Sequence, residues 1–212
     1  MILLGASVSP FVRKVLVVAA EKGVKLDNRP INPSTSDDPL FLSTSPFRKI
    51  PALVDGDFRL ADSTAIITYL EALHPLPAML PSAPRERARA VWFEEMADTI
   101  LFPAGQRIFF NRVVAPKFLK RAGDLAAAQD AQDSLLPPVY GYLESAVPAG
   151  EFLVGDALSI ADIAVTSMLG NMTYCSAAPD PGTYPKLAAY LARTMARPCF
   201  AGALASDRAM LG

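Results

Sequence analysis

Histidine is almost missing from this chain, and that scarcity excludes several chemistries. Its 212 residues include one His and two Cys. A zinc site built on several histidines cannot be assembled, and no metal centre is expected. A hydrolase triad would have to rest on His74 alone, and His74 directly precedes Pro75 in what reads as a helix end. Cys175 and Cys199 form no CxxC motif and do not suggest a disulfide-built secreted domain. A dominant charge is lacking too, since 20 Lys plus Arg face 21 Asp plus Glu for a net −1, with an isoelectric point near 5.8. Nothing electrostatic invites nucleic acid or an anionic membrane, and Lys117, Lys120 and Arg121 read as a solvated face or helix end. No apolar run approaches the roughly 18 residues of a membrane span. No charged segment followed by a long apolar one suggests a secretory signal. The expectation is a soluble, reduced, cytoplasmic protein with no nucleic-acid or membrane partner.

What is present is apolar residues, at 51%, and proline in a telling place. Pro75, Pro77, Pro81 and Pro84 crowd a stretch that neither a helix nor a central strand accommodates. Residues 75–84 therefore read as a linker between domains at 1–74 and 85–212. Before it, Ile2 to Ala6 suits a buried strand, and Phe11 to Lys22 places Val12, Val15, Leu16 and Ala19 on one helical face, stopped by Gly23. Leu26 to Ile31 suits a second strand, which Pro30 moves to a sheet edge. Ala52–Val54, Asp55-Gly56 and Phe58–Leu60 spell a hairpin, and Ala65, Ile66, Tyr69, Leu70 and Leu73 form a helical stripe. The order β-α-β-loop-β-β-α describes a thioredoxin-like α/β domain. After the linker the pattern is all-α. Pro103 should kink the long helix beginning at Arg85, and Pro137-Pro138 should either bend the run from Leu125 to Ala146 or divide it in two.

Three segments of the first domain could carry chemistry. In Ser7-Val8-Ser9-Pro10-Phe11-Val12-Arg13-Lys14-Val15, Ser9 suits a helix N-cap and Pro10 the first helical position. The same hydroxyl, among the free N–H groups of a helix start, could instead hydrogen-bond a thiol and favour its ionised form. In Arg48-Lys49-Ile50-Pro51, a cis Ile50–Pro51 bond would free the Ile50 backbone to pair with an extended peptide. In Asp62-Ser63-Thr64, either Asp62 or Ser63 caps the next helix, or the helix start binds a ligand carboxylate while Asp62 meets an amino group. A short ligand with a thiol, a backbone segment and an amino-acid terminus would fill all three, and glutathione fits.

These segments, in this order and spacing, resemble those of cytosolic-type glutathione S-transferases, and the likeness runs along essentially the whole chain. Gly155-Asp156-Ala157-Leu158-Ser159-Ile160-Ala161-Asp162 adds to it by resembling the family's capping box and staple, a folding device with no role in chemistry. The resemblance implies a thioredoxin-like N-terminal domain joined to an all-helical C-terminal domain. It implies Ser9 as the hydroxyl that hydrogen-bonds the glutathione sulfur, with Ser7 as the lesser alternative. It further implies Lys49 near the glycyl carboxylate, Ile50 before cis Pro51 pairing with the cysteinyl part, and Asp62 with Ser63 at the γ-glutamyl end. Val8 and Phe11, with Phe102, Gln106 and Phe109, would line the site of a small hydrophobic electrophile between the domains. The Phe102, Gln106 and Phe109 spacing also suits a plain helical core.

The departures matter as well. No cysteine stands at the Ser9 position, so mixed-disulfide chemistry with glutathione is not expected. The pattern of two serines before a cysteine, typical of the glutathione-dependent isomerase branch, is missing. Arg48 occupies a place where glycine is common. The expected activity is glutathione transfer, with peroxidase activity as a possible companion. The rival readings are a non-enzymatic module of the stringent-starvation-protein type and a glutathione-dependent isomerase. A homodimer is implied by the resemblance alone, with the linker and the helix starting at Arg85 near the contact.

Overall fold

The computed structural model describes residues 1–212, in two compact units: Met1–Met79 with Pro198–Gly212, and Leu80–Arg197. The first unit is built on a four-stranded sheet of order β2-β1-β3-β4. Its strands are β1 (Ile2–Leu4), β2 (Asp27–Arg29), β3 (Ala52–Asp55) and β4 (Phe58–Ala61). β1 and β2 are parallel, whereas β1–β3 and β3–β4 are antiparallel. β2, the strand preceding Pro30, lies at the sheet edge as its composition required. The β3–β4 hairpin turns at Gly56, whose φ of +61° suits a residue without Cβ.

Helix α1 (Pro10–Glu21) connects β1 to β2 and buries Val12, Val15, Val17 and Val18. It ends where the Lys22 and Gly23 amides bond back to Val18 and Ala20, with Gly23 at φ +67°. A short helix α2 (Pro39–Thr44), capped by Asp38, occupies what read as loop, and its Phe41 packs with Leu4, Ala52 and Val54. Helix α3 (Ser63–Leu73) follows β4. Where it ends, the fully buried Lys22 ammonium pairs with Glu71 at 2.6 Å and donates to the His74 and Pro77 carbonyls, each at 2.7 Å. His74 thus serves through its backbone.

In the second unit, α4 (Pro84–Met96) runs into π-helical turns at Ala97–Leu101, then α5 (Phe102–Phe109) and further π turns at Phe110–Phe118. The kink expected at Pro103 takes the form of a wider turn just before it. A proline ring crowds the preceding carbonyl and offers no N–H, and a π turn absorbs both. The run from Leu125 to Ala146 resolves into α6 (Leu125–Ser134) and α7 (Leu136–Ala146), with Pro137 and Pro138 in the tolerant first turn of α7. Helix α8 (Ile160–Thr173) is almost wholly buried, and α9 (Pro185–Met195) packs on it. The Ser159–Asp162 capping box is present: Asp162 Oδ2 accepts from the Ser159 amide and hydroxyl. Its Oδ1 accepts from the Leu153 amide and the Tyr190 hydroxyl, each at 2.8 Å. Burial pushes the Asp162 carboxyl up and these donors pull it back.

The last helix, α10 (Pro198–Leu211), packs on α1 and belongs with the first unit, although its sequence follows the second. The division 85–212 expected from the linker did not separate it. The contacts that hold it include a buried charge pair that no local pattern in α10 announces.

Candidate functional site

Strand register brings three loop segments to one end of the sheet. Leu4, the last residue of β1, faces Ala52 at the start of β3, and Ala52 faces Ala61 at the end of β4. The residues flanking this row are Gly5, Ile50-Pro51 and Asp62. Gly5 permits the approach: its φ is +149°, and a Cβ there would stand 2.6 Å from Val12 Cγ2 and 3.2 Å from Ile50 Cβ.

Ser9 stands at the N-cap of α1 with extended backbone, and Pro10 fills the first helical position. Its carbonyl accepts the Arg13 amide at 2.9 Å, but its hydroxyl makes no capping bond. The cap is therefore backbone only, and the half-buried hydroxyl remains available at the positive end of a helix of 12 residues. Ser7, by contrast, is 1% exposed, and its hydroxyl donates to Met210 Sδ at 3.7 Å. Ser7 is thus poorly suited to meet a ligand.

The Ile50–Pro51 peptide is cis, and neither the N–H nor the C=O of Ile50 takes a backbone partner. The neighbouring Lys49 is held through its main chain: its amide donates to Ser45 Oγ at 2.9 Å, and that hydroxyl donates to the Lys49 carbonyl at 2.7 Å. Its ammonium is left on the exposed rim. Sequence reading missed Ser45, because a lone serine between a short helix and a proline carries no motif. Arg48 adopts φ +55° and turns its guanidinium to the Pro33 and Ser36 carbonyls at 3.1 and 2.6 Å. It braces the 33–36 loop.

At the start of α3 the two capping candidates separate. Asp62 is the cap: its Oδ1 accepts from the Thr64 and Ala65 amides at 2.8 and 3.1 Å, with the backbone at φ +84°. A non-glycine residue in that region is held there against a cost of order 1–3 kcal/mol, and such residues cluster at ligand clamps. Ser63 is 1% exposed, and its hydroxyl has no partner within the protein. A buried hydroxyl left so costs about 1–3 kcal/mol, which a bound acceptor would relieve.

Of the expected electrophile contacts, Val8 is buried and Phe11 half-buried, with the Lys14 ammonium 5.9 Å from the Phe11 ring centroid. In the second unit Gln106 is exposed and Phe102 half-buried, while Phe109 is 8% exposed and belongs to the core. That is the alternative its helical spacing left open.

Comparison with known proteins gives the family of the chain. Residues 3–78 match "Glutathione S-transferase, N-terminal domain" and residues 109–207 match "Glutathione S-transferase, C-terminal domain". Glutathione S-transferase 3 of Zea mays is 31% identical over 205 residues, covering 93% of this chain and 90% of that protein. A solved glutathione S-transferase III in apo form superposes with a TM-score of 0.78 at 30% identity, over 96% of this chain and 95% of that one. A glutathione S-transferase-I bound with lactoylglutathione gives a TM-score of 0.84 at 26% identity, over 97% and 98%. Matched in both halves and along nearly its whole length, the chain belongs to the glutathione S-transferase family.

Proposed function

We propose that this glutathione transferase binds glutathione at the end of the sheet marked by Leu4, Ala52 and Ala61, and uses Ser9 to stabilise the glutathione thiolate. The observation that carries the reading is the buried, unpartnered Ser63 hydroxyl at the N-terminus of α3, suited to the γ-glutamyl carboxylate. The unpaired main chain of Ile50 suits the cysteinyl backbone, and the Lys49 ammonium suits the glycyl carboxylate. Asp62 retains Oδ2 for the amino group while Oδ1 caps the helix.

With the peptide so held, its sulfur falls to Ser9. A hydroxyl donor and a helix N-terminus both favour thiolate over thiol, raising the fraction able to attack at neutral pH. The thiolate then displaces a leaving group from, or adds to, a small hydrophobic electrophile beside Val8 and Phe11. In the second unit, Phe102 and Gln106 keep surface that a ligand could reach, whereas Phe109 offers little. Attack on an organic hydroperoxide would give the alcohol and a sulfenic acid, which a second glutathione converts to disulfide and water. That route is the proposed peroxidase activity. The protein needs only to position and polarise, with no covalent intermediate of its own.

Calorimetric titration with glutathione and S-hexylglutathione tests binding, and turnover with aryl halides and cumene hydroperoxide tests chemistry. Ser9→Ala should lower kcat roughly 10- to 100-fold, the worth of one hydrogen bond to a charged group, with glutathione affinity within about threefold. Unchanged turnover in Ser9→Ala would remove Ser9 from the mechanism. A cytoplasmic homodimer completes the reading, supported by Cys175 and Cys199 being buried thiols outside any disulfide and by exposed Leu76 in the linker and Trp92 on α4. Sedimentation analysis checks the assembly.

A further inference from the structure

We infer that α10 is a positioning clamp for the Ser9 segment, acting through Asp207 and Met210. The inference rests on the reading of Ser9 above. Arg13 and Asp207 are both 0% exposed. The guanidinium donates to one carboxylate oxygen, Oδ2, from Nη2 at 2.6 Å and from Nε at 3.1 Å. Three residues further along α10, and so on the same face, Met210 receives the Ser7 hydroxyl. Ser7 precedes Ser9 by two residues; Arg13 follows it by four, and its amide holds the Ser9 carbonyl. One helix face therefore grips the chain on both sides of the reactive hydroxyl.

Adhesion alone does not require these contacts. Phe200, Ala203 and Leu204 already bury apolar surface on α10, and a buried ion pair is often no more stabilising than apolar residues of its size. What the pair adds is direction. Two N–H groups converging on one oxygen fix how far α1 is rotated and slid relative to α10, and that rotation sets where the first turn of α1 presents Ser9. Positioning at this level matters because displacing a reacting group by about 1 Å can cost on the order of 100-fold in rate. Asp207 and Met210 touch neither substrate nor sulfur. They are positioning residues.

The test compares Asp207→Asn, Asp207→Glu and Met210→Ala with the wild type and Ser9→Ala. The readouts are kcat, KM for glutathione, the pH at which bound glutathione gains its ultraviolet thiolate band, and hydrogen exchange at the amides of residues 9–13. Asp207→Asn should lower kcat about tenfold, raise the thiol pKa by about one unit (a tenfold change in the ionisation equilibrium) and speed exchange at the Arg13 amide. KM should stay within about threefold, and Asp207→Glu should recover most of kcat. Met210→Ala, at a half-buried site and expected to fold, should shift the same quantities in the same direction. In a Ser9→Ala background, Asp207→Asn should add nothing. The clamp is overturned if both variants match wild type in thiol pKa and exchange. It is equally overturned if kcat falls only in proportion to melting temperature and Asp207→Glu restores none of it. Wild-type turnover by Ser9→Ala would instead refute the Ser9 reading, and exchange at residues 9–13 would still decide whether α10 holds that segment.

Discussion

Ser63 poses opposite demands on one side chain. In the free protein its buried hydroxyl has no partner, so Ser63→Ala should leave stability unchanged or raise it by up to about 1 kcal/mol. In the proposed complex the same hydroxyl would meet a carboxylate, so that substitution should weaken glutathione binding roughly 10- to 100-fold. Urea denaturation and calorimetry on one preparation would read both signs. A variant that is less stable yet binds normally would show that Ser63 serves the fold alone. Ser9 was legible in the sequence because proline follows a capping residue at a strand–helix junction. What could not be read was that its hydroxyl would make no cap bond, since N-cap identity does not determine side-chain rotamer. Nor was it legible that Asp62 rather than Ser63 would cap α3, a division set by the φ of +84° at Asp62.

Among elements, those with strong local signals were the legible ones: the hairpin at Asp55-Gly56, α1 ending before Gly23, and the β2 edge strand. Helix α2 was missed because six residues give too little period to recognise; its signal was Asp38-Pro39, a capping residue before a first-turn proline. The division at Pro137-Pro138 was left undecided because local sequence allows both a bent helix and two helices. The end of α3 depends on a contact made from outside it. Lys22 on the α1 terminus neutralises Glu71 and caps two carbonyls of the proline segment, while Glu71 also accepts the Met79 amide at 3.0 Å. Lys22→Met should cost roughly 2–3 kcal/mol, the worth of charged hydrogen bonds whose acceptors are left behind. It should also open residues 74–79 to proteolysis faster than the rest of the chain. Limited digestion with mass-spectrometric mapping checks this, and cleavage elsewhere first would argue against it.

For the molecule as a whole, the pattern of buried protons sets the response to alkali. Burial pushes the Cys175 thiol from 9.0 up to about 12, against the lowering pull of Arg112. Burial likewise raises Tyr140 and Tyr190 above the usual 10.0, with Asp162 adding to the effect at Tyr190. The folded chain keeps these protons where the unfolded chain releases them. Their contribution to stability is therefore complete below about pH 9 and is lost as pH rises toward 12, by about 1.4 kcal/mol per pH unit for each group in its window. The urea midpoint should hold from pH 7 to 9 and then fall, and Tyr140→Phe should make the fall shallower. A midpoint still level at pH 11 would contradict this.

The ion pair between α1 and α10 also bears on how the chain is made. Arg13 and Asp207 lie 194 positions apart, so on a ribosome the arginine emerges long before its counterion exists. Throughout that interval the first unit carries a guanidinium whose native burial has no carboxylate to meet it. The sheet and its helices can collapse early, but the Ser7 and Arg13 side chains find their Met210 and Asp207 partners only once α10 has been made. The contact between α1 and α10 therefore joins one of the first helices of this unit to be made with one that follows the whole of the second unit.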